Sequence, residues 1–198
     1  MDCSKIGRLI AQLRKEKGLT QQNIADALNI SNKTVSKWEC GLGCPDVSLW
    51  AELSNILGTG MEKILEGELN PNQLDVGKID RVRFYVCPSC GNILISTGEA
   101  TISCCGRRLF PLVPQSSFLE HELKIEEMDT DYYISFTHEM SKKHYISFIA
   151  YVNNDRVLLN RLYPEQTAAV RIPIMISGGK LYIFCNNHGL QVFDHIFD

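Results

Sequence analysis

The chain has no run of apolar residues near the ~20 needed to cross a bilayer, so no membrane partner is expected. It also has no excess of positive charge: 20 Lys and Arg stand against 23 Asp and Glu, a formal net charge of −3. Contact with nucleic acid therefore has to come from a local patch and not from a global field. No basic stretch leads into an apolar one at Met1-Asp2-Cys3-Ser4-Lys5, and the expectation is a cytoplasmic protein. Internal repeats and low-complexity tracts are missing too. A hydrophobic content of 44% with 22% charged residues argues against wholesale disorder. The 198 residues suit one large domain or two or three small ones.

What is present in quantity is cysteine, eight residues in all. Four of them form a C-x-x-C and an adjacent Cys-Cys pair, which reads as metal ligation in a reducing compartment. Cys3, Cys40 and Cys44 lie apart from these, in the first third of the chain. A disulfide between Cys40 and Cys44, across one turn, is an option. Ordinary reduced thiols are the expectation.

From residue 4 to about 66 the pattern is helical. Ile6, Leu9, Ile10 and Leu13 fall on one face of a 3.6-residue repeat, and Gly18 supplies a stop. Thr20 can cap a second helix carrying Ile24, Ala25 and Leu28, and Ser31 a third carrying Val35 and Trp38. Asp46 can start a fourth with Leu49, Leu53, Ile56 and Leu57 inward, and a short fifth covers Met61 to Leu65. Residues 67–81 lose this periodicity and read as a linker. Beyond it, Tyr132 to Thr137, Tyr145 to Val152 and Leu181 to Cys185 are rich in Tyr, Ile, Phe and Val, as short strands are.

Residues 20 to 38 offer a positioning helix, a tight turn and a second helix with polar side chains to present to a major groove. Within Leu13-Arg14-Lys15-Glu16-Lys17-Gly18-Leu19-Thr20-Gln21-Gln22 and Ser31-Asn32-Lys33-Thr34-Val35-Ser36-Lys37-Trp38-Glu39, the pattern resembles the Cro/C1-type (XRE) repressor family. The resemblance covers about the first third of the chain. It implies binding of double-stranded DNA, with Gln21 on backbone phosphate and Asn32, Lys33, Ser36 and Lys37 facing the duplex. Those side-chain types can bond base edges or phosphates. Any one of them alone would read as part of a solvated face; the set points to DNA. Acids and bases are balanced over residues 1–66, so a homodimer on an inverted repeat is expected.

Cys87-Pro88-Ser89-Cys90-Gly91 and Cys104-Cys105-Gly106 place two pairs of thiols on two turns. Four converging thiolates suit zinc or mononuclear iron. The adjacent Cys104-Cys105 pair departs from the usual zinc ribbon and resembles the desulforedoxin domain at the front of desulfoferrodoxins. That likeness implies iron, and the residues suit zinc equally.

Four of the five histidines follow a second pattern: His121, then His138-Glu139-Met140-Ser141-Lys142-Lys143-His144-Tyr145-Ile146, then Cys185-Asn186-Asn187-His188-Gly189. A lone histidine on a strand is most simply a structural residue, but here that reading has to cover all four. The segment resembles the catalytic domain of desulfoferrodoxin and neelaredoxin, the superoxide reductases. The resemblance implies an immunoglobulin-like β-sandwich whose iron is held by equatorial His121, His138, His144 and His188 and axial Cys185, with one position open. His195 matches nothing in that pattern and reads as a surface residue.

Two departures from the family stand out. Leu119-Glu120 replaces the usual Glu-Lys before the first ligand, so Glu120 reverses a charge that would attract superoxide. Lys142 or Lys143 is a candidate substitute, and Glu139 stands where the family usually has proline.

The expected organisation is multidomain α + β. A helix-turn-helix bundle of five helices spans 1–66, a linker 67–81, a four-cysteine metal knuckle 82–114 and the iron-binding β-sandwich 115–198. Two functions compete: reduction of superoxide to hydrogen peroxide with a rubredoxin-like electron donor, or a redox- or iron-responsive transcriptional regulator with little turnover.

Overall fold

The structure is a computed structural model, and it describes residues 2–116, 123–174 and 178–194. The chain divides into two compact units, Met1–Pro71 and Asn72–Asp198. Each is described separately.

Helix α1 (Cys3–Glu16) starts where Asp2 accepts hydrogen bonds from the amides of Ser4 and Lys5. Helix α2 (Gln21–Ala27) begins with a capping box: Thr20 takes the Asn23 amide and the Asn23 side chain returns to the Thr20 amide. Ser31 caps α3 (Asn32–Glu39) by accepting from Thr34. Asp46 does not open the next α-helix directly. It caps a 3₁₀ turn, Val47–Leu49, and α4 runs from Trp50 to Leu57, followed by α5 (Met61–Glu66). The short turn leaves Leu49 only partly buried and makes Trp50 a core residue.

These helices share one core, in which Ile10, Ile24, Ala25, Val35, Leu53 and Ile64 are completely buried. α1 and α3 approach so closely that a Cβ on Gly7 would lie 1.8 Å from the Trp38 carbonyl oxygen, so only glycine fits there. Under that crossing lies a part-buried ion pair. Arg14 Nε and Nη2 reach Glu39 Oε1 and Oε2 at 2.6 and 2.9 Å, and Arg14 Nη1 donates to the Leu19 carbonyl. This satisfies a charge that burial would otherwise penalise heavily.

The structure corrects one expectation in this unit: Cys3 and Cys44 form a disulfide, with Cα atoms 5.1 Å apart, and Cys40 remains a free, exposed thiol. Ordinary reduced thiols are the expectation from sequence, and the one pairing it offers, Cys40 with Cys44, rests on nearness alone. The fold instead lays the turn after α3 against the start of α1, where a Cβ on Gly41 would meet Ser4 Oγ at 2.6 Å. The bond closes a loop with a sequence separation of 41 residues. Its reduction, or Cys3→Ser, is expected to lower the unit's stability by about 2–4 kcal/mol. Denaturant titration followed by tryptophan fluorescence tests this, since Trp38 and Trp50 are the chain's two tryptophans. An unchanged midpoint on reduction would contradict it.

The second unit is built from strands. β1 (Arg83–Val86) pairs with β2 (Ile93–Ser96), and β3 (Ile102–Cys104) with β4 (Arg107–Leu109). A three-stranded antiparallel sheet has the order β10-β7-β6: Ala169–Pro173, Asp131–Phe136, Leu123–Glu127. A five-stranded sheet has the order β5-β12-β11-β8-β9: Gln115–Ser116, Gly189–Asp194, Lys180–Cys185, Ile146–Val152, Val157–Arg161. Ile134, Val170 and Ile172 of the smaller sheet join Ile149, Tyr151, Leu181 and Ile183 of the larger in one core. Two sheets therefore pack face to face.

All seven residues of β8 are buried. Its other face, with Phe148, Ala150 and Val152, is covered by Phe84 of β1, whose ring centre lies 5.3 Å from Phe148 and 5.1 Å from Tyr182. The β1–β2 hairpin is thus fixed to the larger sheet, and Leu109 of β4 shares a smaller core with Tyr85 of β1. The register of β11 on β8 shifts between Phe184 and Cys185, an irregularity that re-aims the strand's last side chain.

Candidate functional site

The first hairpins carry the four thiols. In the Cys87–Asn92 turn, the Gly91 amide donates to the Cys87 carbonyl at 2.8 Å and the Cys87 amide to the Asn92 carbonyl at 2.9 Å. Gly91, at φ +67°, closes this turn without strain. Between β3 and β4 the pair Cys105-Gly106 has φ +51° and +72°, so adjacent cysteines can both face inward.

The ligand atoms of Cys87, Cys90, Cys104 and Cys105 all lie within 4.8 Å of one another. Two sulfurs on one ion at about 2.3 Å each are no more than about 4.6 Å apart, so the cluster is near the size of a cage around one metal. Backbone N–H groups of Cys90 and Ser89 hold the Cys87 thiol down to about 6. Cys105 is pushed up to about 12 by its contacts with Cys90, Cys104 and Cys87. Four thiols this close cannot all ionise without a cation among them. The donor set fits a soft divalent ion.

The second cluster sits at one end of the facing sheets. His138 and His144 bracket the loop from β7 to β8, Cys185 ends β11, and His188 lies in the turn before β12. Their ligand atoms also lie within 4.8 Å of one another. His144 Nε2 and His188 Nδ1 are 3.4 Å apart, and the rings of His138 and His188 stand nearly perpendicular to that of His144. Cys185 is 3% exposed, and the Asn187 amide approaches its sulfur at 3.4 Å. Half-buried imidazoles and one buried thiol facing a common point make a mixed nitrogen and sulfur donor set, which suits a transition metal.

Two residues build this end of the fold: Asn186, which sequence reasoning did not single out, and Glu139, noted there only as replacing the family's usual proline. Asn186 accepts from the Tyr145 amide at 2.8 Å and donates to the Lys143 carbonyl at 2.7 Å. It ties the histidine loop to the cysteine turn. Glu139 lies behind the cluster, with Oε2 3.1 Å from His144 Nδ1. Its pKa is lowered by the Ser141 and His144 hydrogen bonds. The signal for Asn186 was its place between Cys185 and His188; for Glu139, its place beside His138.

Other expected residues are placed as follows. His121, the fourth expected histidine, lies outside the described residues, as do Glu120 and His195. Lys142 Nζ is 3.6 Å from Glu165 Oε1, with both side chains exposed. Lys143 contributes its carbonyl to Asn186.

On the helical unit, Asn32, Lys33 and Lys37 are exposed on α3, with Ser36 half-buried. Asn32 Nδ2 donates to Gln22 Oε1 at 3.1 Å, a link between α2 and α3. Gln21 is held at the start of α2 by a 2.8 Å hydrogen bond from its Nε2 to Glu39 Oε2. The part-buried Arg14–Glu39 pair thereby also fixes the first side chain of the positioning helix.

Residues 10–64 match the family model described as Helix-turn-helix. At its N-terminal end the chain carries a helix-turn-helix domain. Over 61 residues it is 39% identical to an uncharacterised HTH-type transcriptional regulator, YqaE, of Bacillus subtilis, covering 31% of this chain. The chain spans about half (53%) of that regulator's length. Its C-terminal part is similar to a desulfoferrodoxin homologue of Archaeoglobus fulgidus, 27% identical over 117 residues, with 55% of this chain and 94% of that protein covered. A solved superoxide reductase from Treponema pallidum aligns with a TM-score of 0.49 and 16% identity, over 57% of this chain and 96% of that one. Among the described residues, no helix is long and apolar enough to cross a membrane.

Proposed function

We propose that this chain is a cytoplasmic DNA-binding protein that reduces superoxide to hydrogen peroxide at a mononuclear iron centre held by His138, His144, His188 and Cys185, with His121 completing the set. The observation that carries the reading is the convergence of three histidines and a buried cysteine within 4.8 Å. The similarity of this part of the chain to desulfoferrodoxins supports it. In this reading residues 1–66 bind the duplex, 67–81 link, 82–114 hold iron or zinc on Cys87, Cys90, Cys104 and Cys105, and 115–198 form an immunoglobulin-like sandwich.

Bound iron supplies one-electron chemistry between its ferrous and ferric states. The protein's part is to fix the ligands and deliver charge. Neutral imidazoles leave the metal's positive charge largely uncancelled, while the thiolate of Cys185 favours electron donation. Superoxide takes one electron and two protons to become peroxide. Lys142 and Lys143, on the loop between His138 and His144, draw the anion in, against the opposing charge of Glu120. A rubredoxin-like protein restores the electron. Gln21, Asn32, Lys33, Ser36 and Lys37 meet the DNA, and a homodimer reads an inverted repeat.

Steady-state assay of iron-loaded protein with a reductant and a superoxide source tests this. One peroxide per superoxide, with no oxygen released, marks reduction; oxygen release marks dismutation and overturns the proposal. Lys142→Ala with Lys143→Ala is expected to slow the second-order reaction by about 2–10-fold and to weaken its salt dependence. Unchanged rates would remove the lysines from the account. The charge reversal at Glu120 favours a second reading, a redox- or iron-responsive regulator with little turnover. That reading requires operator affinity to change with iron oxidation state, a coupling of about 1–3 kcal/mol.

A further inference from the structure

Glu139 touches both histidines of its loop. Its backbone carbonyl accepts from His138 Nδ1, and its carboxylate oxygen Oε2 lies 3.1 Å from His144 Nδ1. With Nδ1 of each ring committed to an acceptor, the proton of each neutral imidazole sits on Nδ1, and Nε2 is the nitrogen left to ligate. His144 Nε2 does face the cluster, 3.4 Å from His188 Nδ1. The Nε2 atom of His138 is buried.

We infer that Glu139 is a positioning residue for the iron centre, which fixes the tautomers of His138 and His144 and places a negative charge behind one ligand. This rests on the reading of the cluster as an iron site. The two contacts do different things. The carbonyl on His138 is a dipole and survives any side-chain substitution. The carboxylate on His144 is a full charge, and it makes that imidazole a stronger donor to the metal, stabilising ferric over ferrous iron. His144 is 19% exposed and Glu139 62%, so solvent screens the charge in part but does not separate the two groups.

Two substitutions in the full-length protein divide these roles. Glu139→Gln keeps size and an acceptor oxygen for His144 but removes the charge. Glu139→Ala removes both. With zinc at the four cysteines, ferrous affinity of the histidine and cysteine cluster is read by competition with a chelator, and its midpoint potential by titrating the ferric–thiolate absorption. Glu139→Ala is expected to weaken ferrous binding by about 10–100-fold. Glu139→Gln is expected to bind ferrous iron within a few-fold of the parent and to show a higher midpoint potential. Metal content at the four cysteines, unchanged in both, shows that the variants are folded. A parent that binds iron while both variants match it in affinity and potential overturns the inference alone. A parent that takes up no ferrous iron at this cluster overturns the iron reading, and the inference with it.

Discussion

With zinc loaded at the four cysteines and iron at the histidine and cysteine cluster, Cys185→Ser is expected to abolish the ferric–thiolate absorption and to slow oxidation by superoxide on the order of 100-fold, about 2.7 kcal/mol of barrier. Cys185 is the one thiol in a cluster otherwise made of imidazoles, and it is buried at 3% exposure with the Asn187 amide against its sulfur. Serine nearly preserves the volume but stays a neutral hydroxyl at neutral pH, so both the anionic ligand and its electron donation are lost. The histidines remain, and iron binding is weakened and not eliminated. A variant that keeps the absorption band would show that another group supplies the thiolate, and the assignment of Cys185 would fall.

The second large effect is in the helical unit. Glu39→Ala leaves the guanidinium of Arg14 buried without its carboxylate, at 13% side-chain exposure, and also releases Gln21. Removing one partner of a fully buried pair costs about 3–5 kcal/mol, because the remaining charge is stranded; for this part-buried pair, with Arg14 still on the Leu19 carbonyl, about 2–3 kcal/mol is expected. The pair also carries a pH signature. Burial works to raise the pKa of Glu39, but hydrogen bonds from Arg14 and Gln21 outweigh it, and the net shift is below the ordinary value of 4.5. A carboxylate with a lowered folded pKa contributes stability above its unfolded pKa, and loses it as pH falls through the folded value. The parent should therefore lose stability below about pH 4.5, and Glu39→Ala should lose less over the same range. Denaturant midpoints of the two proteins between pH 7 and pH 3 check both statements. Equal midpoints at pH 7 would mean the ion pair is replaceable by water.

Much of the helical unit was legible because its signals are local. Thr20 and Ser31 cap helices whose apolar spacing is set within one or two turns, and the helices start where those residues stand. Asp46 misled in a small way: a cap starts a turn whether it is α or 3₁₀, and sequence does not distinguish them at three residues. The Cys3–Cys44 disulfide was not legible, since it depends on α1 lying against the turn after α3. That is a tertiary fact, whereas Cys40 and Cys44 were merely near in sequence.

The convergence of the two donor clusters was legible for a different reason. C-x-x-C, adjacent Cys-Cys and Cys-x-x-His each place two donors on one turn, so only pairs of turns had to find each other in three dimensions. Asn186 went unnoticed, and Glu139 was noted only as a departure from the family's proline, because their work is done across the site. Asn186 joins two segments 41 residues apart, and Glu139 reaches a histidine five residues on. Their place beside the histidines and the cysteine was a signal, but a single sequence does not show what such polar residues bond.

The most direct test of the account is a single-turnover experiment: full-length protein with zinc at the four cysteines and ferrous iron at the histidine and cysteine cluster, mixed rapidly with superoxide while the ferric–thiolate absorption is followed. The account predicts that the band rises in proportion to superoxide added, one centre oxidised and one peroxide formed per superoxide, and that Cys185→Ser shows no such band. Protein with iron confirmed at the histidine and cysteine cluster that stays ferrous under excess superoxide would contradict it.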